Sequence, residues 1–328
     1  MKTSQMEVVP RKKNQKRRRL EKPKKQYAKD QCALYGIKGL GQLTEALQWP
    51  GELKDLLALS GDSGAYRVWQ EQDGRWIQEP TRHLRAVHTR VAVLLRRILP
   101  PDYRQSGVRS RSFLSNAANH LDGHASLKLD IKSFYPSTTF GHVRRFFVRE
   151  MKCAPDVAAR LAQLCCYQRK HFPTGGVHSE VLAFFCHKEM FEKLLSRVKD
   201  RGGRMTVYVD DIMVTMPNAS ITDLEWTRKL FAGYGMRLHP RKSTVLRRTS
   251  VKCITGVWIR NGKMLAPKQQ HSKAVEIMRN LKTAGSQGER LKSARSLIGH
   301  LDHIAQIDQR FKQRAIGNRA RLKDLLAS

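Results

Sequence analysis

Three carboxylates in this chain have the types and spacing to hold divalent metal. Asp210 and Asp211 are adjacent within Tyr208-Val209-Asp210-Asp211, and Asp130 closes an apolar stretch well upstream. Adjacent carboxylates repel each other and are costly to hold together unless a cation sits between them or against a third acid. A divalent metal is the cation that this pattern suggests, and the three acids outline a two-metal nucleotidyl-transfer site. Mg²⁺ prefers one or two carboxylates completed by substrate phosphates over an all-protein cage, so a nucleoside triphosphate is the expected substrate. A plainer reading stays open at this point, since Asp is a good turn residue and a pair of them occurs by chance in many hairpins.

Such chemistry requires elements that bring the acids to one place. Thr206-Val207-Tyr208-Val209 and Ile212-Met213-Val214-Thr215 are rich in β-branched and aromatic residues, and are expected to form two strands joined by a turn at Asp210-Asp211. Residues Ser126 to Ile131 alternate like a half-buried strand ending at Asp130, and Lys132 to Ser137 break it before a helical pattern begins near Thr139. If that strand pairs beside the hairpin, the three acids converge. Between them, His171-Phe172-Pro173-Thr174-Gly175-Gly176-Val177-His178-Ser179 leads into what reads as one long amphipathic helix. Its apolar positions are Val181, Leu182, Phe184, Phe185, Met190, Phe191, Leu194 and Leu195, and Gly202-Gly203 end it. A glycine pair opening a helix lets backbone approach a ligand closely, here a nucleotide or template strand; a flexible helix entry is the simpler alternative.

Lys and Arg number 62 against 28 Asp and Glu, a formal charge of +34 with a pI near 10.5, so the expected partner is a polyanion. No run of 18 apolar residues and no signal-peptide apolar core appears, which predicts a cytoplasmic protein with no membrane partner. The six cysteines form no CxxC pair and show no metal-ligand spacing, and read as reduced thiols without a function. Residues 1–30 read as a disordered basic tail that adds non-specific phosphate contacts or merely solubilises. Residues 31–250 mix helices and strands and hold the acids, and residues 251–328 read as mainly helical. Apolar sets there are Val275, Ile277, Met278 and Leu281, then Leu291, Leu297, Ile298 and Leu301.

These residues together resemble the reverse transcriptases, and within them the bacterial retron type. Asp130-Ile131-Lys132-Ser133-Phe134-Tyr135-Pro136-Ser137 is similar to the first catalytic motif, Tyr208-Val209-Asp210-Asp211 to the second, and His239-Pro240-Arg241-Lys242 to the lysine-bearing motif that follows. Asn116-Ala117-Ala118-Asn119-His120 is similar to the retron NAxxH element, and Ile254-Thr255-Gly256 to the VTG element. The resemblance implies an α+β, right-hand polymerase fold with fingers, a palm of antiparallel sheet backed by helices, and a helical thumb; fingers and palm would span 31–250 and the thumb, with its RNA contacts, 251–328.

It further implies that Asp130, Asp210 and Asp211 bind two Mg²⁺ ions, one activating the attacking sugar hydroxyl and one neutralising the triphosphate and leaving pyrophosphate. Tyr135 would be the steric gate under the incoming sugar, Arg111 and Arg109 a phosphate clamp, Thr174 and Gly175 contacts to the nucleotide, and Lys242 the proton donor to pyrophosphate. Asn116, His120, Thr255 and Gly256 would serve recognition of the cognate RNA, directly or by positioning an insertion beside the palm. Pro173-Thr174-Gly175 keeps the family's pattern, but Gly176-Val177-His178-Ser179 replaces its usual Ser-Pro-x-Ser continuation, and His178 reads as a surface histidine or a compensating polar contact. The implied activity is RNA-directed DNA synthesis from dNTPs on a structured noncoding template RNA, giving branched single-stranded DNA (msDNA), in antiphage defence with a separately encoded effector protein. Another bacterial lineage of reverse transcriptase, of abortive-infection or diversity-generating type, and a non-catalytic nucleic-acid scaffold are the alternatives.

Overall fold

The computed structural model describes residues 25–58, 64–322 and 325. Residues 1–24 of the expected basic tail lie outside the described residues. Because the apolar runs are short and punctuated by turn residues, the elements are short too. In chain order they are α1 (Leu40–Leu47), α2 (Leu53–Ala58), β1 (Tyr66–Gln70), β2 (Trp76–Pro80), α3 (Arg82–Arg96), α4 (Phe113–Ala118), β3 (Ala125–Asp130), α5 (Phe134–Ser137), α6 (Phe140–Arg145), which runs on into a π turn over Phe146–Glu150, α7 (Pro155–Cys165), α8 (Ser179–Cys186) and α9 (Lys188–Asp200). They continue as β4 (Arg204–Tyr208), β5 (Asp211–Met216), α10 (Ile221–Gly233), β6 (Thr244–Leu246), β7 (Lys252–Ile254), β8 (Val257–Arg260), β9 (Lys263–Leu265), α11 (Lys268–Thr283), α12 (Gln287–Ile307) and α13 (Lys312–Arg321).

The chain is α+β, as the sequence indicates. Its central sheet is antiparallel in the order β4-β5-β3-β6, so the strand carrying Asp130 does pair beside the hairpin. Leu127 and Leu129 of β3, Val207 of β4 and Val214 of β5 share one buried core with Phe147, Phe184, Phe191 and Phe231 from the helices. Each such side chain taken out of water contributes about 1.5–3 kcal/mol, which fixes the strand register because a one-residue slip would turn this set to the opposite face.

The strand and the helix beside the acids differ from expectation. β3 is not half-buried: Ala125, Ser126, Leu127, Leu129 and Asp130 are all buried and only Lys128 is intermediate, because the strand lies inside the sheet and its polar face is covered as well. The long helix after Ser179 is two helices, interrupted at His187 (φ −110°, ψ 10°), whose buried ring bonds Thr138 Oγ1 through Nε2 at 3.0 Å instead of facing solvent.

A second core gathers Ile254, Val257 and Ile259 of the β7-β8-β9 sheet with Ala274, Leu297, Leu301 and Ile304 of α11 and α12, and includes Ala117 of α4 and Met213 of β5. Ile277, Met278 and Leu281 are partly buried against it, whereas Val275, expected on the same apolar face, is exposed. The small Ala274 takes the inward position. Among the described residues, no helix is long and apolar enough to cross a membrane.

Candidate active site

The β4–β5 hairpin closes with Tyr208 paired to Asp211, so the two-residue turn is Val209-Asp210 and Asp211 is the first residue of β5. The turn thus lies one residue earlier than the sequence suggests. Asp130 pairs directly across from Asp211, and the Ile131 N–H donates to the Asp210 carbonyl at 3.1 Å. Asp130 is itself anchored from the side of β6: its N–H donates to Ser243 Oγ at 3.1 Å, its carbonyl accepts the His239 N–H at 2.7 Å, and Lys242 Nζ lies 3.3 Å from its Oδ2. Strand pairing and the 239–243 segment therefore bring Asp130, Asp210, Asp211 and Lys242 to one end of the sheet.

The electrostatics match that arrangement. Burial holds the carboxyl of Asp210 above the usual range, and the charges of Asp211 and Asp130 push it further up. Asp211 is raised too, by burial and then by Asp130, while Lys128 and Lys242 pull it down. Among the described residues, no group of three or more His, Cys, Asp or Glu side chains is drawn in closely enough to hold a metal by itself. The donor set nonetheless fits a hard cation: carboxylate oxygens only, mutually repelling, with only Lys242 and, for Asp211, Lys128 in compensation. Completion by a substrate's phosphates is what Mg²⁺ favours.

The other expected residues fall into different surroundings. Tyr135, on α5, is partly buried against the main core, and its phenol is raised by burial and by the charges of Glu180 and Asp210. Arg111 is tied to the protein: Nη1 donates to the carbonyls of Pro101 (2.6 Å) and Arg104 (2.7 Å), and Nη2 reaches Asp102 Oδ1 at 3.3 Å. Arg109 is exposed. The Thr174 N–H donates to Gln78 Oε1 at 3.0 Å, and a Cβ added at Gly175 would stand 2.8 Å from the Gln78 carbonyl and 3.0 Å from the Glu79 Cα. The backbone that Gly175 admits is therefore β2, where the sequence reading placed a nucleotide or template.

The elements read as RNA-recognising meet each other. Asn116 Nδ2 donates to Thr255 Oγ1 at 3.3 Å, and Thr255 Oγ1 donates to the Phe113 carbonyl at 3.1 Å, so the Thr255-Gly256 turn docks on α4. Asn116 is buried, and so is His120, whose ring nitrogens each lie 2.8 Å from a threonine hydroxyl, Nδ1 from Thr215 and Nε2 from Thr206. Ser126 Oγ completes the group at 3.0 Å from Thr215 Oγ1. Desolvation pushes His120 down to about 3, so it is neutral and bonds as one donor and one acceptor. His178 is fully buried rather than at the surface; its Nε2 bonds the Cys165 carbonyl at 2.9 Å and its ring lies 3.9 Å from that of His88.

Sequence reading passed over Ser243, which holds the Asp130 backbone, and Glu180, at the head of α8. Glu180 had a signal: it is the only acid between Asp156 and Glu189, at the entry to an apolar helix in a strongly basic chain. Ser243 had none, since a serine after a lysine is ordinary.

No protein-family model matches the chain. It is 26% identical over 215 residues to the retron Se72 reverse transcriptase of Salmonella heidelberg, covering 61% of this chain and 56% of that protein. It is 30% identical over 207 residues to the retron Mx65 reverse transcriptase of Myxococcus xanthus, covering 56% and 48%. The chain thus spans about half the length of the curated relatives it matches. Among solved structures, a telomerase from Candida albicans in complex with a fragment of telomeric RNA aligns with TM-score 0.46 and 12% identity, over 82% of this chain and 59% of that one. A foamy viral protease-reverse transcriptase in complex with double-stranded DNA aligns with TM-score 0.42 and 17% identity, over 86% and 42%. By sequence, then, the chain is a relative of the retron reverse transcriptases.

Proposed function

We propose that this chain is an RNA-directed DNA polymerase of the retron type, which copies a structured noncoding RNA into branched single-stranded DNA. The observation that carries the reading is Asp130 paired across from Asp211 with Asp210 in the adjoining turn, on strands that a scaffold without catalysis has no need to load with repelling charge. Sequence relatedness to two retron reverse transcriptases supports it, and so does the charge of +34, which suits a polyanionic template and product. In this reading residues 31–250 form fingers and palm, and residues 251–328, built around the second core, form the thumb.

Asp130, Asp210 and Asp211 would hold Mg²⁺, which supplies positive charge at the attacking hydroxyl and the triphosphate. Lys242, beside Asp130, would hand a proton to the leaving pyrophosphate. Tyr135 packs beneath the sugar and excludes a 2′-hydroxyl. Of the two arginines, Arg109 is the exposed one and takes the phosphate contact, while Arg111 braces the 101–104 segment. Asn116, Thr255 and Gly256 act on RNA indirectly, by fixing the β7–β8 turn and the helices that follow it against α4, and His120 does so by tying the end of that helix to β4 and β5. The product's role in antiphage defence, with a separate effector in a bacterial cytoplasm, belongs to the same proposal.

The test is to express the chain with its upstream genomic region, extract the nucleic acid bound to the purified protein, and treat it with RNase, DNase and debranching enzyme. DNA joined to RNA through a debranchable bond, absent with Asp210→Asn, is the expected result. RNA alone, alike in both proteins, would favour a scaffold, and unbranched DNA another lineage of reverse transcriptase. Tyr135→Ala is expected to raise ribonucleotide incorporation relative to deoxynucleotide by at least tenfold in single-nucleotide extension; unchanged discrimination would return Tyr135 to a packing role.

A further inference from the structure

Val209, the residue before Asp210, has φ 61°. That is left-handed backbone, where tight hairpin turns usually carry glycine and where a β-branched residue is costly unless its surroundings enforce it. The enforcing contact comes from far away in sequence. The Val209 N–H donates to Ser106 Oγ at 3.1 Å, and the Ser106 hydroxyl in turn donates to Glu180 Oε1 at 2.9 Å. Glu180 Oε1 also accepts from Arg104 Nη2 at 3.0 Å, and Oε2 lies 3.8 Å from Arg96 Nη2.

Arg104 is 2% exposed and stacks over Phe184 at 4.7 Å, so the carboxylate is fixed by a cation that is itself immobile. The 103–106 segment is laced to β4, with the Val207 N–H donating to the Tyr103 carbonyl at 2.7 Å and the Gln105 N–H to the Val207 carbonyl at 2.8 Å. Gly107 leaves room for the carboxylate, since a Cβ there would collide with it.

We infer that Glu180, acting through Ser106, is a positioning residue for Asp210: the chain of bonds from the Val209 amide to the Ser106 hydroxyl to the Glu180 carboxylate holds the turn that presents Asp210 beside Asp130 and Asp211. Every donor in that chain points the same way and ends on a carboxylate that Arg104 also meets, the arrangement in which successive hydrogen bonds reinforce one another. Arg104 and Arg96 balance the Glu180 charge, so the brace adds no net negative charge to a cluster that already repels itself. The inference rests on the polymerase reading for the meaning of Asp210, but not for the existence of the brace.

The experiment compares Ser106→Ala, Ser106→Thr, Val209→Gly and the Ser106→Ala/Val209→Gly double variant in the full chain, with Asp210→Asn as control. Mg²⁺-dependent dNTP incorporation on a primed template and hydrogen exchange of the Val209 amide are read in parallel. Ser106→Ala is expected to lower kcat about tenfold, or about 1.4 kcal/mol, with the dNTP KM within twofold, and to speed Val209 amide exchange at least tenfold. Ser106→Thr keeps the hydroxyl and restores both readouts. With glycine at 209 the backbone adopts the turn freely, so Ser106→Ala there costs twofold or less; a merely structural serine would give the same loss in both backgrounds.

Unchanged kcat and unchanged Val209 exchange in Ser106→Ala would overturn the inference, as would a tenfold loss that persists with glycine at 209. If Ser106→Ala does not fold, recovery of folding in the double variant supports the brace and failure to recover overturns it. No incorporation by wild type or Asp210→Asn would defeat the polymerase reading alone, because the amide exchange still reports on the brace.

Discussion

Among the described residues, two tight turns put a β-branched residue into left-handed backbone, and they are held in different ways. In the β7–β8 turn, Thr255 (φ 45°) precedes Gly256 (φ 82°) and secures itself, its own hydroxyl bonding the Phe113 carbonyl and the Asn116 amide. In the β4–β5 turn, Val209 has no polar side chain and depends on Ser106 for its backbone N–H. The first turn is neutral and joins the second core to α4. The second carries Asp210, which two neighbouring acids repel. Similar local strain thus serves docking in one place and the presentation of charge in the other: the first turn is tied down through its own side chain, the second through its backbone N–H and the hydroxyl of Ser106.

The largest effect should come from removing the charge. Asp210→Asn is expected to reduce dNTP incorporation at least about 10³-fold, near 4 kcal/mol of barrier, while the melting temperature in EDTA holds or rises because one of three repelling carboxylates has become neutral. Wild-type extension by this variant would undo the metal assignment.

Acid sharpens the contrast between the charged end of the sheet and its neutral interior. His88 is pushed down to about 4, His120 and His187 to about 3, and His178 well below the ordinary value, all chiefly by desolvation. The unfolded chain binds protons at these histidines from about pH 6.5 downward while the folded chain does not. Their contribution to stability is therefore complete above that pH and is lost between 6.5 and about 4–3, at up to about 1.4 kcal/mol per pH unit for each. Asp210 and Asp211 act in the opposite sense: their raised values mean that the folded state takes up protons first, so their repulsion eases as pH falls. Urea midpoints that stay level between pH 7 and 5 would show that the histidines are not held neutral.

Smaller effects separate the turns themselves. Thr255→Val should lower stability by about 1–2 kcal/mol by leaving the Asn116 amide unpaired, with no change in Val209 amide exchange; faster exchange at Val209 would show that the two turns are coupled. Val209→Gly and Gly256→Ala should shift stability in opposite directions by about 1 kcal/mol each, the first relieving strain and the second adding it, as urea unfolding of the two variants would show.

Much of the site was legible because its signals are local. The Asp pair between β-branched runs, the alternation ahead of Asp130 and the basic composition each speak for themselves over a few residues. What escaped depends on partners distant in sequence. Nothing near His120 announces that its ring will lie between Thr206 and Thr215, and nothing near Arg111 announces the carbonyls of Pro101 and Arg104. Periodicity also could not find the break at His187, since the apolar pattern runs on through it while the buried ring bonds Thr138. Gly175 looked like a ligand-facing glycine because sequence shows that backbone must come close, not whose backbone it is.

That last residue matters for anyone mapping this protein by saturation mutagenesis. Every side chain at position 175 collides with β2, so each allele there should be scored as dead alongside Asp210 alleles in a selection for activity. The two positions would look alike in such a map for unrelated reasons. Counting surviving protein beside surviving activity would part them, with Asp210 alleles abundant and silent, and Gly175 alleles depleted.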